Sequence, residues 1–129
     1  MSLNHLHILA TARRLGAPPA TAAEVETWMT ELVSLVGMEV LIPAKAIRSD
    51  QIGNEGVTGI ICLTTSHASL HCWDRVEEPF LTMDLYSCRD FDPEIVLKHL
   101  GAFQPGEIEF VLIDRATGYR IIEKTIRPI

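Results

Sequence analysis

Ten residues, Thr64-Thr65-Ser66-His67-Ala68-Ser69-Leu70-His71-Cys72-Trp73, gather two histidines, serine and threonine hydroxyls, a thiol and an indole between apolar segments. Two chemistries suit such a set: a serine hydroxyl made nucleophilic by a base or by strain, and a metal held by imidazoles. Strand geometry separates them. A strand alternates its faces and rises about 3.3 Å per residue. His67, Ser69, His71 and Trp73 then share a polar face, and Ala68, Leu70 and Cys72 an apolar one. His67 and His71 stand roughly 13 Å apart along such a strand, four steps of about 3.3 Å, too far for one Zn²⁺ with nitrogen bonds of about 2 Å. The segment is rich in β-branched and apolar residues around a Thr-Thr-Ser break, which favours strand over helix, and no metal is expected. Ser66 and His71 differ by an odd number of positions. They meet only if Ser66 sits in a turn or bulge, and the strand-like run Val57 to Leu63 calls for a reversal at Thr64 to Ser66.

The elements that must hold this stretch are legible on either side. Asn4 to Ala10 reads as a first strand, followed by the break Gly16-Ala17-Pro18-Pro19. Thr21 and Glu24 have the form of a capping box, and Val25, Trp28, Met29, Leu32, Leu35 and Val36 recur at helical spacing, which predicts a helix from about Ala22 to Val36. Met38 to Ile47 reads as a second strand and Arg48 to Glu55 as a polar loop. Beyond the central pair, Asp74 to Pro79 is a charged connection and Phe80 to Ser87 a further strand. Asp92-Pro93 opens a second helix, with Asp as N-cap and Pro at the first position. Glu107 to Ile113 and Tyr119 to Ile126 form a last pair. The order β-α-β-β-β-β-α-β-β predicts an α+β fold, a two-layer α/β sandwich in which an antiparallel sheet carries two helices on one face.

With 129 residues, 47% hydrophobic and 22% charged, the chain is expected to form one domain over residues 1–129. The net charge of −6 and the scattered basic residues argue against nucleic acid and anionic membranes as partners. The absence of a long apolar run and of signal-peptide order leads to a cytosolic expectation. Cys62, Cys72 and Cys88 include no CxxC and are expected to be reduced. Cys62 and Cys72 read as small core residues, and Trp28 and Trp73 as packing.

The central stretch resembles the processing-site motif of the prokaryotic S-adenosylmethionine decarboxylases, Ser-His-(Ile/Leu)-(Ser/Thr)-(Ile/Leu)-His-Thr-Trp-Pro-Glu, with Ser66, His67, Ser69, Leu70, His71 and Trp73 in register. Gly56-Val57-Thr58-Gly59 is similar to the family's Gly-Val-Ser-Gly. Asp84-Leu85-Tyr86-Ser87-Cys88, followed by Asp92-Pro93, is similar to its Asp-(Leu/Val)-(Phe/Tyr)-(Ser/Thr)-Cys. The resemblance implies self-cleavage between Thr65 and Ser66: Ser66 Oγ attacks the Thr65 carbonyl, the peptide bond becomes an ester, and His71 removes the Ser66 α-proton. Hydrolysis then leaves a pyruvoyl cofactor derived from Ser66. By the same resemblance that group forms a Schiff base with a substrate amine and accepts electrons as CO₂ leaves, Cys88 is the proton donor, Thr58 stands for the processing serine, and the protein dimerises with itself. The implied reaction supplies the aminopropyl donor for spermidine and other polyamines.

Departures from the motif fall where a small amino-acid-type substrate would be recognised. Asp74-Arg75 replaces Pro-Glu, Ile52 is the nearest equivalent of a loop aromatic, and Thr11 falls about where the family carries a glutamate. Ile52 and Arg75 are therefore candidate substrate contacts. Two alternatives follow: a pyruvoyl-dependent decarboxylase of ornithine or arginine, and an uncleaved homologue that binds a partner or small ligand without catalysis.

Overall fold

The computed structural model describes residues 4–129. Its elements run β1 (Leu6–Arg13), α1 (Ala22–Leu35), β2 (Val40–Ser49), β3 (Gly56–Leu63), β4 (Ser66–Trp73), β5 (Phe80–Ser87), α2 (Pro93–Leu100), a 3₁₀ turn (Gly101–Phe103), β6 (Glu107–Asp114) and β7 (Arg120–Pro128). This is the expected order, with the 3₁₀ turn added. The strands form one antiparallel sheet in the order β2-β3-β4-β5-β1-β6-β7. β1 is antiparallel to both β5 and β6, so those two run the same way and α2 crosses over β1 to join them. α1 likewise links β1 to β2 across three intervening strands. Same-way strands need such long connections.

β1 begins and ends later than its composition suggests. Two ladders hold it through Arg13, where the guanidinium pairs with Glu107 at 2.8 Å and Glu109 at 2.8 Å. β2 also runs on through Arg48 and Ser49, because β3 pairs with both.

The helix-side face is the core. Ile8, Ala10 and Ala12 of β1, Ala68, Leu70 and Cys72 of β4, and Leu81, Met83 and Leu85 of β5 are all buried there, as strict alternation requires. α1 contributes Val25, Trp28, Met29, Leu32 and Val33. Val33 completes the stripe eight positions after Val25, whereas Leu35, at the helix end, is exposed. Thr21 caps α1 by accepting from the Glu24 amide at 3.2 Å, but its hydroxyl donates to the Glu24 carboxylate at 3.1 Å, so that carboxylate bonds the cap's side chain. Asp92 caps α2 through the Glu94 amide at 3.0 Å. The helices are tied by Trp28 Nε1 donating to the His99 carbonyl at 3.0 Å and His99 Nε2 bonded to the Trp28 carbonyl at 2.9 Å.

Two glycines of β3 are required by close approach. A Cβ at Gly56 would lie 1.8 Å from the Cys72 carbonyl oxygen, and one at Gly59 would lie 2.5 Å from Val25 Cγ1. The first clash is with backbone at closer range, the second with the packed side chains of Val25 and Met29. Gly56→Ala is expected to destabilise by about 2–3 kcal/mol, the upper range for overpacking, and Gly59→Ala by less, which thermal or urea unfolding would rank. Among the described residues no helix is long and apolar enough to cross a membrane.

Candidate active site

β3 and β4 are joined by only two residues, Thr64 and Thr65, with Leu63 facing Ser66 in register. The reversal expected there exists, and it forces Thr65 to φ +61. For a β-branched residue this left-handed conformation is a true outlier, costing about 1–3 kcal/mol. The strain sits on the residue immediately before Ser66.

Ser66 is the first residue of β4, and Cys88 follows the end of β5, its neighbour. The Cys88 amide donates to Ser66 Oγ at 3.3 Å, the Ser66 hydroxyl lies 4.0 Å from Cys88 Sγ, and Thr65 Oγ1 lies 2.6 Å from the same sulfur. Thr65 Oγ1 is also 2.6 Å from the Thr64 carbonyl. Its one proton has two acceptors: aimed at the carbonyl it leaves the thiol as donor, and aimed at the sulfur it stabilises a thiolate. The Thr65 hydroxyl is the largest influence drawing the Cys88 pKa below the ordinary thiol value, with Ser66 adding to it and partial burial opposing. Burial pushes Cys72 the other way, up to about 12.

An order of reactivity follows, since the thiolate is the nucleophile. In a His71→Ala chain, which should stay uncleaved, iodoacetamide is expected to modify Cys88 at lower pH than an ordinary thiol and to spare Cys72 until unfolding. Thr65→Val keeps the branched shape and loses the hydroxyl, so the pH midpoint for Cys88 should rise toward about 8.5. Peptide mapping after alkylation at stepped pH checks both.

Ser66, Thr65 and Cys88 open into a cleft of about 650 Å³ that Glu39, Tyr86 and Asp90 also line. The Tyr86 hydroxyl and His5 Nδ1 are 2.6 Å apart. Neither His5 nor Tyr86 was marked as a site residue by spacing alone, because the contact joins positions 81 apart.

His71 is elsewhere. It faces Thr58 across β3 and β4, with Nδ1 3.1 Å from Thr58 Oγ1, on the sheet face that carries no helix. Ser66 lies in an extended strand rather than a bulge, so five steps of about 3.3 Å put the two residues roughly 16 Å apart on opposite faces. One chain therefore contains two separate groups, Ser66–Thr65–Cys88 and His71–Thr58.

The residues that depart from the motif lie toward the far end of β4 from Ser66. Ile52 is 96% exposed in the loop between β2 and β3. Arg75 is exposed and reaches Asp50 at 3.6 Å. Asp74 is nearly buried against Arg48, whose two terminal nitrogens donate to its carboxylate at 3.0 and 3.2 Å. Asp74 is thus occupied in joining β2 to the end of β4. Thr11 lies between Thr82 and Glu109 on the helix-free face.

That face also gathers a cluster absent from the sequence reading. Asp84 Oδ2 lies 2.7 Å from His7 Nε2 and 3.4 Å from His67 Nε2, and its other oxygen accepts from the Ser69 hydroxyl. Burial pushes the Asp84 carboxyl up, and the hydrogen bonds from His7 and Ser69 more than offset this, leaving it below the usual carboxylate range.

Comparison with known proteins gives a consistent picture. The family model described as S-adenosylmethionine decarboxylase matches residues 16–116. The S-adenosylmethionine decarboxylase proenzyme of Methanococcus aeolicus is 26% identical over 97 residues, covering 74% of this chain and 78% of that protein. The proenzyme of Symbiobacterium thermophilum is 33% identical over 75 residues, covering 57% of this chain and 49% of that protein. In fold, the adenosylmethionine decarboxylase of Aquifex aeolicus superposes with a TM-score of 0.69 at 19% identity, over 89% of this chain and 92% of that one.

Proposed function

Because the chain belongs to the S-adenosylmethionine decarboxylase family, we propose that it is a self-processing decarboxylase of S-adenosylmethionine, with a pyruvoyl group made from Ser66. The observation that carries this reading is the meeting, in one cleft, of the strained Thr65 linkage, the Ser66 hydroxyl and the Cys88 thiol. The residues fit the group. Ser66 Oγ is held by the Cys88 amide, beside a peptide bond whose φ strain is relieved on cleavage.

In processing, Ser66 Oγ attacks the Thr65 carbonyl carbon. The new C–O bond replaces the C–N bond, and the hydroxyl proton passes to the freed amine. A base then takes the Ser66 α-proton, the Cβ–Oγ bond breaks, and Thr65 leaves as a carboxylate. Water converts the resulting enamine to a ketoacyl end with loss of ammonia. His71 is the base. Its Nδ1 meets Thr58, and when that nitrogen carries the proton, donated to Thr58 Oγ1, Nε2 is free to accept. Separation along β4 prevents His71 from serving its own Ser66, so the protein acts as a homodimer in which the His71–Thr58 pair of one copy approaches Ser66 of the other.

A pyruvoyl group at residue 66 supplies a carbonyl that accepts the substrate's amine and the electron pair left when CO₂ departs. Cys88, beside it, holds the proton that returns to the substrate carbon. Only the thiol can donate; the Thr65 and Ser66 hydroxyls that draw its pKa down belong to the uncleaved chain, so that shift acts before cleavage.

Release of CO₂ from carboxyl-labelled S-adenosylmethionine, run beside ornithine and arginine, tests the substrate. Turnover of S-adenosylmethionine alone is expected. Turnover of ornithine or arginine in its place would move the assignment to that amino acid, a shift for which Ile52 and Arg75 are the residues to examine. No release from any of the three would overturn the decarboxylase reading.

A further inference from the structure

On the helix-free face, His7, Tyr86 and His67 form one row across β1, β5 and β4. Asp84 stands two residues along β5 on the same face, so both histidines reach it diagonally, as neighbouring strands allow. One ring nitrogen of His7, one of His67 and an Asp84 oxygen all lie within 4.8 Å of one another. From these residues we propose a binding site for a divalent transition cation, Zn²⁺ by its donor set, with water completing four-coordination.

Two imidazole nitrogens and one carboxylate oxygen are a ligand set that Zn²⁺ takes with bonds of about 2.0–2.2 Å, which places donors about 3.3 Å apart in a tetrahedron. The present separations from Asp84, 2.7 and 3.4 Å, bracket that value, and the two imidazole nitrogens, within 4.8 Å of each other, close on the ion by side-chain rotation in the proposed site. The three ligands stand on adjacent, hydrogen-bonded strands. Ser69 holds the second carboxylate oxygen, the kind of outer contact that orients a metal-binding carboxylate. The spacing argument against His67 and His71 is untouched, because His7 arrives from β1 and not from along β4.

Arg115 opposes the cation. Its Nη1 lies 3.3 Å from His7 Nδ1. A guanidinium only donates, so without metal His7 carries its proton on Nε2 and gives it to Asp84. Metal at Nε2 displaces that proton to Nδ1 and turns the Arg115 contact from attraction to repulsion. Arg115 is held in that place by the rings beside it, its guanidinium lying over Tyr86 at 4.2 Å and 5.7 Å from the Tyr119 ring. Arg115 therefore competes with the ion. A bound ion would tie β1 and β5 to β4, the strand that begins with Ser66.

Titration of metal-free Ser66→Ala protein with Zn²⁺, and with Co²⁺ followed by its visible absorption, tests this independently of processing and substrate. One ion per chain is expected, with the Co²⁺ spectrum of a four-coordinate nitrogen and oxygen site. His67→Ala, at a half-exposed position, and Asp84→Asn should each weaken binding at least tenfold, added His71→Ala should leave it unchanged, and Arg115→Gln should tighten it several-fold. Circular dichroism of each variant separates lost binding from lost folding. The proposal is overturned by the absence of saturable binding in folded Ser66→Ala protein, by binding that survives His67→Ala, or by looser binding in Arg115→Gln.

Discussion

A Ser66→Ala chain is expected to remain a single piece and to release no CO₂ from S-adenosylmethionine above background. The loss should be at least about 10⁶-fold, the lower end of enzymatic rate enhancement, because the substitution removes the source of the cofactor. Ser66 supplies both the attacking Oγ and the Cα and Cβ that remain as the ketoacyl group, so a neighbouring hydroxyl offers no substitute at this position, and Ser69 lies on the other face bonded to Asp84. The fold should survive. Ser66 Oγ is half-buried and its main partner is one amide, a bond worth about 1 kcal/mol net, so unfolding should shift little. Cleavage or turnover in Ser66→Ala would remove Ser66 from the chemistry.

The second large effect is complementation between two inactive chains. His71→Ala keeps Ser66, Thr65 and Cys88 but lacks the base, and Ser66→Ala keeps the base but lacks the nucleophile. Each alone should stay whole. Expressed together, mixed dimers place an intact His71 beside an intact Ser66, and His71→Ala chains should then be cleaved while Ser66→Ala chains are not. This asymmetry distinguishes the two-copy arrangement from any route in which His71 bends back to its own chain, for which neither would be cut. The odd five-residue offset along β4 leaves the two residues of one chain roughly 16 Å apart on opposite faces.

Local pattern made part of this legible in the sequence. The alternation from His67 to Trp73 placed the polar and apolar faces of β4, and the turn before Ser66 was required by the strands on either side. Thr21 and Asp92 announced their helices through side chains whose amide partners lie two or three residues away. What stayed hidden was long-range. Nothing local says that β1 inserts between β5 and β6, and without that insertion His7 has no reason to meet Asp84, 77 positions on. Asp74 looked like an altered recognition residue because its partner Arg48 is 26 positions away. Ser66 and His71 looked like partners because the motif sets them side by side, whereas the strand that carries them both keeps them apart.

The most direct measurement is the intact mass of the purified wild-type protein, denatured and reduced. A gel would not separate residues 1–65 from residues 66–129, pieces of 65 and 64 residues. Mass spectrometry does, and it also reads the new end. Two pieces are predicted, the first ending in the carboxylate of Thr65 and the second carrying a ketoacyl group in place of the serine amine. A single whole chain that persists through long incubation, or a second piece that begins with an unmodified serine, would contradict a cofactor made from Ser66.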